Sequence, residues 1–296
     1  MISAGARPSC SHIRLSVLLI FLILGLQRAQ AQFASPTSGP PNETWAGRRI
    51  VVLQGFGDYF VSGQRGQTEL IRPDGLGVNI VAVVQRVEGE HIWIKANGAD
   101  DVPVGWVNKK NAILLDGAIP YFTSLIERNP KDWDAYLRRA ESEHALNQRE
   151  AAIADYTRAI DLHPVEPFLF LRRGRAFRTM KACPQAAADF EKAANLKPTW
   201  AELYNQAAGV YVDCSDPAYR NPEKAVALIE HAIALDVEHP TYLTVLALAY
   251  FRSGQLEKAV VTQRQALESP KLPPGYREEA TAQLHEYERA LAAQNH

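Results

Sequence analysis

Residues 149–164, Arg-Glu-Ala-Ala-Ile-Ala-Asp-Tyr-Thr-Arg-Ala-Ile-Asp-Leu-His-Pro, and residues 183–198, Cys-Pro-Gln-Ala-Ala-Ala-Asp-Phe-Glu-Lys-Ala-Ala-Asn-Leu-Lys-Pro, follow one pattern 34 positions apart. Each has alanine at its fourth place (Ala152, Ala186), an aromatic four residues later (Tyr156, Phe190) and proline at its end (Pro164, Pro198). The same step reaches back to Ala118, Phe122 and Pro130. It resumes downstream from Ala225 to Ala259 and from Ala232 to Ala266. Several residue types recurring at one step of about 34 residues mark a repeat built from paired helices. Alanine lets a neighbouring helix approach closely, the aromatic fills the space beside the crossing, and proline stops the helix because it has no N–H for the ladder.

A first helix precedes each of these second helices. It carries a small residue at its crossing point (Ala140, Gly174, Ala208, Ala247), followed three residues on by Glu143, Phe177, Tyr211 and Tyr250. Over 117–271 these residues resemble the tetratricopeptide repeat (TPR) motif. The resemblance implies an all-α solenoid with Gly117–Pro130 as a half-unit and full units at about 131–164, 165–198, 199–238 and 239–271. Residues 272–296 supply a capping helix that starts at Pro273-Pro274 and turns a polar outer surface to solvent. Glu143 and Gln263 depart from the pattern, standing where the family has apolar bulk. The third unit departs too: 14 residues separate Tyr211 from Ala225, against nine between Phe177 and Ala186. Its insertion, from Cys214 through Asp216-Pro217 to Tyr219-Arg220, resembles one that recurs in exported bacterial proteins joining an SH3-like domain to TPRs. The insertion is either a partner-contacting loop or a loop folded onto its own array.

Upstream, residues 45–115 break into short β-branched and aromatic runs: Ile50–Leu53, Tyr59–Val61, Val78–Val84, His91–Ile94 and Gly105–Val107. Asp74-Gly75 and Asn97-Gly98 are dipeptides that permit the positive φ of tight turns. Five or six short strands in so short a segment suit a small all-β barrel. Trp93-Ile94-Lys95 followed by Gly105-Trp106-Val107 resembles the ending of bacterial SH3-like domains. That resemblance implies peptide or cell-wall binding through aromatics, here Tyr59, Phe60, Trp93 and Trp106; the same side chains also suit a core. The expected fold is therefore multidomain, a small all-β SH3-like barrel followed by an all-α TPR solenoid.

The N-terminus reads as a signal peptide. Residues 1–31 hold Arg7, Arg14 and Arg28, no acidic residue, and an apolar run from Leu15 to Leu26. That run is short beside the ~20 residues a membrane helix needs. Ala29-Gln30-Ala31 predicts cleavage between Ala31 and Gln32, and residues 32–44 read as a flexible Ser/Thr/Pro/Gly linker. An uncleaved anchor is the alternative. The expectation is an exported protein, periplasmic or extracellular, with no membrane span after signal cleavage. Of 32 Lys and Arg the leader takes three, leaving 29 against 33 Asp and Glu. Such a mildly acidic chain has no bulk attraction for nucleic acid.

No H-E-x-x-H, G-x-S-x-G or Gly-rich phosphate loop occurs, and the eight histidines are scattered. We therefore expect no enzyme, no cofactor and no metal site. In TPR arrays the first helices line the concave face, which puts Arg138, Arg172, Arg175, Arg178, Asn205 and Arg252 in the groove. Arginine forks hold carboxylates through paired hydrogen bonds, so the expected partner is a protein or acidic peptide. Arg172, Arg173, Arg175 and Arg178 can equally pair with acidic neighbours such as Asp189 and Glu191. A cell-wall polymer bound by the barrel is the alternative ligand. Cys183 and Cys214 lie in inter-helix turns of adjacent units. Equivalent points there sit about 10 Å apart, too far for a disulfide unless the longer third-unit loop closes the gap.

Overall fold

The structure, a computed structural model, describes residues 44–53, 81–96, 105–236 and 239–294. The leader, its cleavage site at Ala31–Gln32, most of the linker, and Tyr59 and Phe60 lie outside the described residues.

Alternating apolar residues build the strands β1 (Arg49–Val52), β2 (Val81–Glu88), β3 (His91–Ala96), β4 (Gly105–Asn108) and β5 (Ala112–Leu114). They form one antiparallel sheet in the order β4-β3-β2-β1-β5. Gly89, at φ 57°, makes the tight β2–β3 turn that a side chain would strain. Period-two alternation gives the sheet two apolar faces. Ile50, Val52, Ala82, Val84, Ile92, Ile94 and Val107 gather on one, while Val51, Val81 and Ile113 join the helical core on the other. Among the described residues β4 and β5 pair with no further strand. The sheet is thus open where a closed barrel was expected, and the segments that link its strands, 54–80 and 97–104, lie outside the described residues.

Ten helices follow among the described residues. The first, α1 (Leu115–Arg128), abuts the sheet. Then come four antiparallel pairs: α2 (Trp133–Ala145) with α3 (Arg149–Leu162), α4 (Pro167–Thr179) with α5 (Cys183–Leu196), α6 (Ala201–Asp213) with α7 (Pro222–Leu235), and α8 (Pro240–Arg252) with α9 (Leu256–Glu268). The last, α10 (Pro274–Gln294), packs on α9. The periodic alanines are fully buried, as are Phe122, Tyr156 and Phe190 beside them. Gly174 is where α4 and α5 meet most tightly: a Cβ there would stand 2.7 Å from a Phe190 ring carbon and 3.2 Å from Asp189 Cβ. Gly174→Ala is therefore expected to lower stability by about 1–2 kcal/mol in urea unfolding, the overpacking outweighing the better helix propensity of alanine. A gain in stability would mean that α5 yields freely.

Buried polar groups repeat with the helices. Arg139 makes a two-pronged bond to Asp155 (2.6 and 2.9 Å) and donates to Thr123 (3.0 Å). One unit on, Arg173 does the same with Asp189 (2.8 and 2.8 Å) and Thr157 (3.0 Å). The two departures from apolar bulk also find places. Gln263, fully buried, donates to the Ala280 carbonyl at 2.9 Å and so ties α9 to α10. Glu143 is buried beside Asp155 and Arg139 with its Oε2 unpartnered. The third-unit insertion is tied at its ends, Arg220 Nε donating to the Cys214 carbonyl (2.7 Å) and the Asn221 amide to the Tyr211 carbonyl (2.9 Å), while residues 215–219 between them are exposed.

Candidate functional site

The groove arginines separate into two groups. Arg138 is 2 % exposed; its Nε pairs with Asp134 at 2.6 Å and its Nη1 donates to the Val52 carbonyl at 2.6 Å. It fastens the sheet to α2 and offers no open face to a ligand, contrary to its expected place in the groove. Arg49 assists, donating to the Ala145 carbonyl at 2.8 Å. Arg172 is also buried, with Nε 3.1 Å from Glu141 and its guanidinium 4.5 Å from the Phe168 ring centre. Glu141 accepts from the Tyr156 hydroxyl at 2.9 Å. Burial, with Glu141 alongside, holds that hydroxyl well above its ordinary range. Arg175 pairs with Glu202 at 3.0 Å. Burial and the neighbouring Arg172 pull its guanidinium below the ordinary value, against the opposing effect of Glu202. Asn205 and Gln206 turn their amide nitrogens to Glu202 as well. This half of the concave face is thus internally paired.

Arg178 stands apart. It is exposed and lines a cavity of about 450 Å³ between α4, α6, α8 and α10. Val210, Val212, Val245 and Leu248 supply its apolar lining, and Tyr276 its edge at the cap. Lys181 and Arg178 stand on one flank; Asp213 and Glu279 add carboxylates. The size and the mixture of an apolar lining with a few charges fit a ligand pocket. Gly209 opens it, since a Cβ built there meets nothing within 4 Å. Arg252 is exposed at the end of α8 and does not line the cavity. Gly209 stands 34 residues after Arg175, so the repeat itself could have drawn attention to it. Tyr276 could not have been found so, because it depends on the angle at which α10 docks.

Cys183 and Cys214, both cavity-lining, are joined by a disulfide with their Cα atoms 6.0 Å apart. On the sheet, Trp93 and Trp106 share the face of Val51 and Val81, opposite the Ile92–Val107 cluster. They are half-buried and meet edge to face at 5.3 Å, with the Arg86 guanidinium 5.9 and 5.3 Å from their ring centres. Among the described residues no group of three or more His, Cys, Asp or Glu could hold a metal ion, and no helix is long and apolar enough to cross a membrane.

The family model for the tetratricopeptide repeat matches residues 115–167 and 220–274. The helical region carries TPRs. Similar solved structures include MamA (20% identity, 57% of this chain and 91% of that one, TM-score 0.48). YrrB, described as a TPR protein with an unusual peptide-binding site, is 20% identical over 58% of this chain and 84% of its own, with a TM-score of 0.47. TTC0263, a thermophilic TPR protein of Thermus thermophilus, is 22% identical over 57% of this chain and 90% of its own, with a TM-score of 0.46. No curated protein matches the chain. TPR proteins are typically interaction modules rather than catalysts, and no catalytic family is among the matches.

Proposed function

We propose that this chain is a non-enzymatic interaction scaffold of the cell envelope that takes a peptide or protein segment into the concave cavity of its TPRs. The observation that carries this reading is the 450 Å³ cavity itself, with apolar walls and Arg178 and Lys181 on its flank. An apolar segment bearing an acidic side chain matches that lining, the carboxylate meeting the two cations. The leader-like residues 1–31 support export, and the five short antiparallel strands support an SH3-like module before the repeats. A second reading has the sheet binding cell-wall glycan, favoured by the half-exposed Trp93–Trp106 pair, since flat aromatic faces suit sugar rings.

One experiment separates the two. The chain from Gln32 onward, alongside its Gly209→Trp and Trp93→Ala/Trp106→Ala variants, is used for affinity capture from envelope extract. Gly209→Trp fills the cavity from a position with free space around it, so the fold is expected to persist while the protein partner is lost. A partner retained by Gly209→Trp sinks the cavity reading. Wall polymer captured by the parent chain and lost only with the tryptophans moves the function to the sheet.

A further inference from the structure

The segments that the disulfide joins are also cavity wall. Cys183 opens α5 and follows the turn that carries Lys181; Cys214 ends α6 directly after Val212 and Asp213. Arg178, Lys181, Val212 and Asp213 all line the cavity, so much of one side comes from the two stretches the bridge holds together. Equivalent edges of stacked helix pairs stand about one helix diameter apart, roughly 10 Å, whereas the bridge sets 6.0 Å between Cα atoms. The bridge therefore holds the end of α6 against the start of α5 at the flank where the cations stand, while Arg175–Glu202 and Tyr211–Glu191 tie α6 to α4 and α5 at other points. Once it is gone, the insertion keeps the Arg220 and Asn221 bonds, but these tie it only to α6. They do not replace the link from the end of α6 back to the α4–α5 turn.

We propose that the Cys183–Cys214 disulfide is a redox gate for the cavity: the bridged protein binds its partner and the dithiol form does not. The inference rests on the cavity reading above. In the opening step a dithiol reductant attacks one sulfur and the Sγ–Sγ bond breaks. The reductant's second thiol then resolves the mixed disulfide, so that the protein takes up two electrons and two protons as two thiols and the reductant closes to its own disulfide. Cys183 is the better leaving thiolate, since it sits at the N-terminus of α5. Function then follows compartment: an oxidising environment keeps the cavity formed, and a reducing one silences it.

The test uses the whole chain and the anionic apolar dye anilinonaphthalene sulfonate as probe. Dye is titrated by fluorescence into the oxidised protein, into the same protein reduced with dithiothreitol, into Cys183→Ser/Cys214→Ser, and into Gly209→Trp, with helix content followed by circular dichroism. Reduction is expected to weaken dye affinity at least about tenfold with helix content unchanged. The double serine variant should match the reduced protein and ignore dithiothreitol. Equal affinity before and after reduction overturns the gate while leaving the cavity reading intact, provided Gly209→Trp loses the dye. Loss of helix or a rise in dye fluorescence on reduction also overturns it, because the bridge would then be holding the fold rather than gating a site. Dye binding undiminished in Gly209→Trp removes the cavity reading, and the gate falls with it.

Discussion

Asp189→Ala is expected to lower stability by about 3 kcal/mol in urea unfolding, the cost of stranding a buried charge. Asp189 is 5 % exposed and receives both prongs of Arg173, whose side chain is 18 % exposed. Removing the carboxylate leaves a desolvated guanidinium with Thr157 as its remaining hydrogen-bond acceptor and the rings of Phe170 and Phe177 beyond 5 Å. Breaking one side of a buried pair costs more than the pair contributes, because the surviving charge stays out of water. Replacing both, as Arg173→Leu/Asp189→Leu, should recover most of the loss, since apolar residues of similar volume often substitute for a buried pair without penalty. The cycle isolates the coupling energy. A cost below about 1 kcal/mol for Asp189→Ala would place the pair with ordinary surface bridges. Asp155→Ala should cost less one unit earlier: the hydrogen bond that Arg139 donates to Asp155 raises its guanidinium above the ordinary value, but Glu143 stands beside Arg139 and loses a like-charged neighbour when Asp155 goes.

That ladder also shows how far the residues alone could be read. Arg139 and Arg173, Asp155 and Asp189, and Thr123 and Thr157 all obey the 34-residue step, so their partnership was written in the spacing. The helices were legible for the same reason. A repeat exposes its packing rules each time it recurs, and Ala, aromatic and Pro have few other reasons to share one period. The groove was less legible. Position along a helix tells which face a residue occupies but not what lies opposite it. Helix position put Arg138 and Arg172 in the groove, yet Val52 and Glu141 meet them and leave them buried. Only Arg178 of the expected arginines borders the cavity. Cys183 and Cys214 could be weighed but not decided, because the gap between neighbouring units depends on how the insertion folds. Glu143 and Gln263 were visible as exceptions, but what each meets needed the packing: the Gln263 amide nitrogen reaches the Ala280 carbonyl of α10, and each side chain keeps one buried oxygen without a partner.

Glu143→Leu is expected to stabilise the protein by about 2–3 kcal/mol at pH 8 and to change it little at pH 5. Burial, with Asp155 adding to it and Arg139 opposing, raises the Glu143 carboxyl from 4.5 to about 7. The folded protein therefore holds this proton more tightly than the unfolded chain and binds more protons between those two values. Stability must fall as pH rises through that window, by up to about 3 kcal/mol for a shift of this size. Below it, Glu143 is a neutral acid that leucine replaces at similar volume. Above it, the native state carries a buried carboxylate whose Oε2 has no partner and whose neighbour is another carboxylate. Phe177, Tyr211 and Tyr250 stand at the equivalent positions of the other three units, which shows that the site accepts apolar bulk in this architecture. Urea unfolding of both proteins at pH 5 and pH 8 measures the difference directly. A leucine effect equal at the two pH values would mean that Glu143 keeps its charge in the native state, and the unpartnered oxygen would then need a partner that Arg139 alone does not supply.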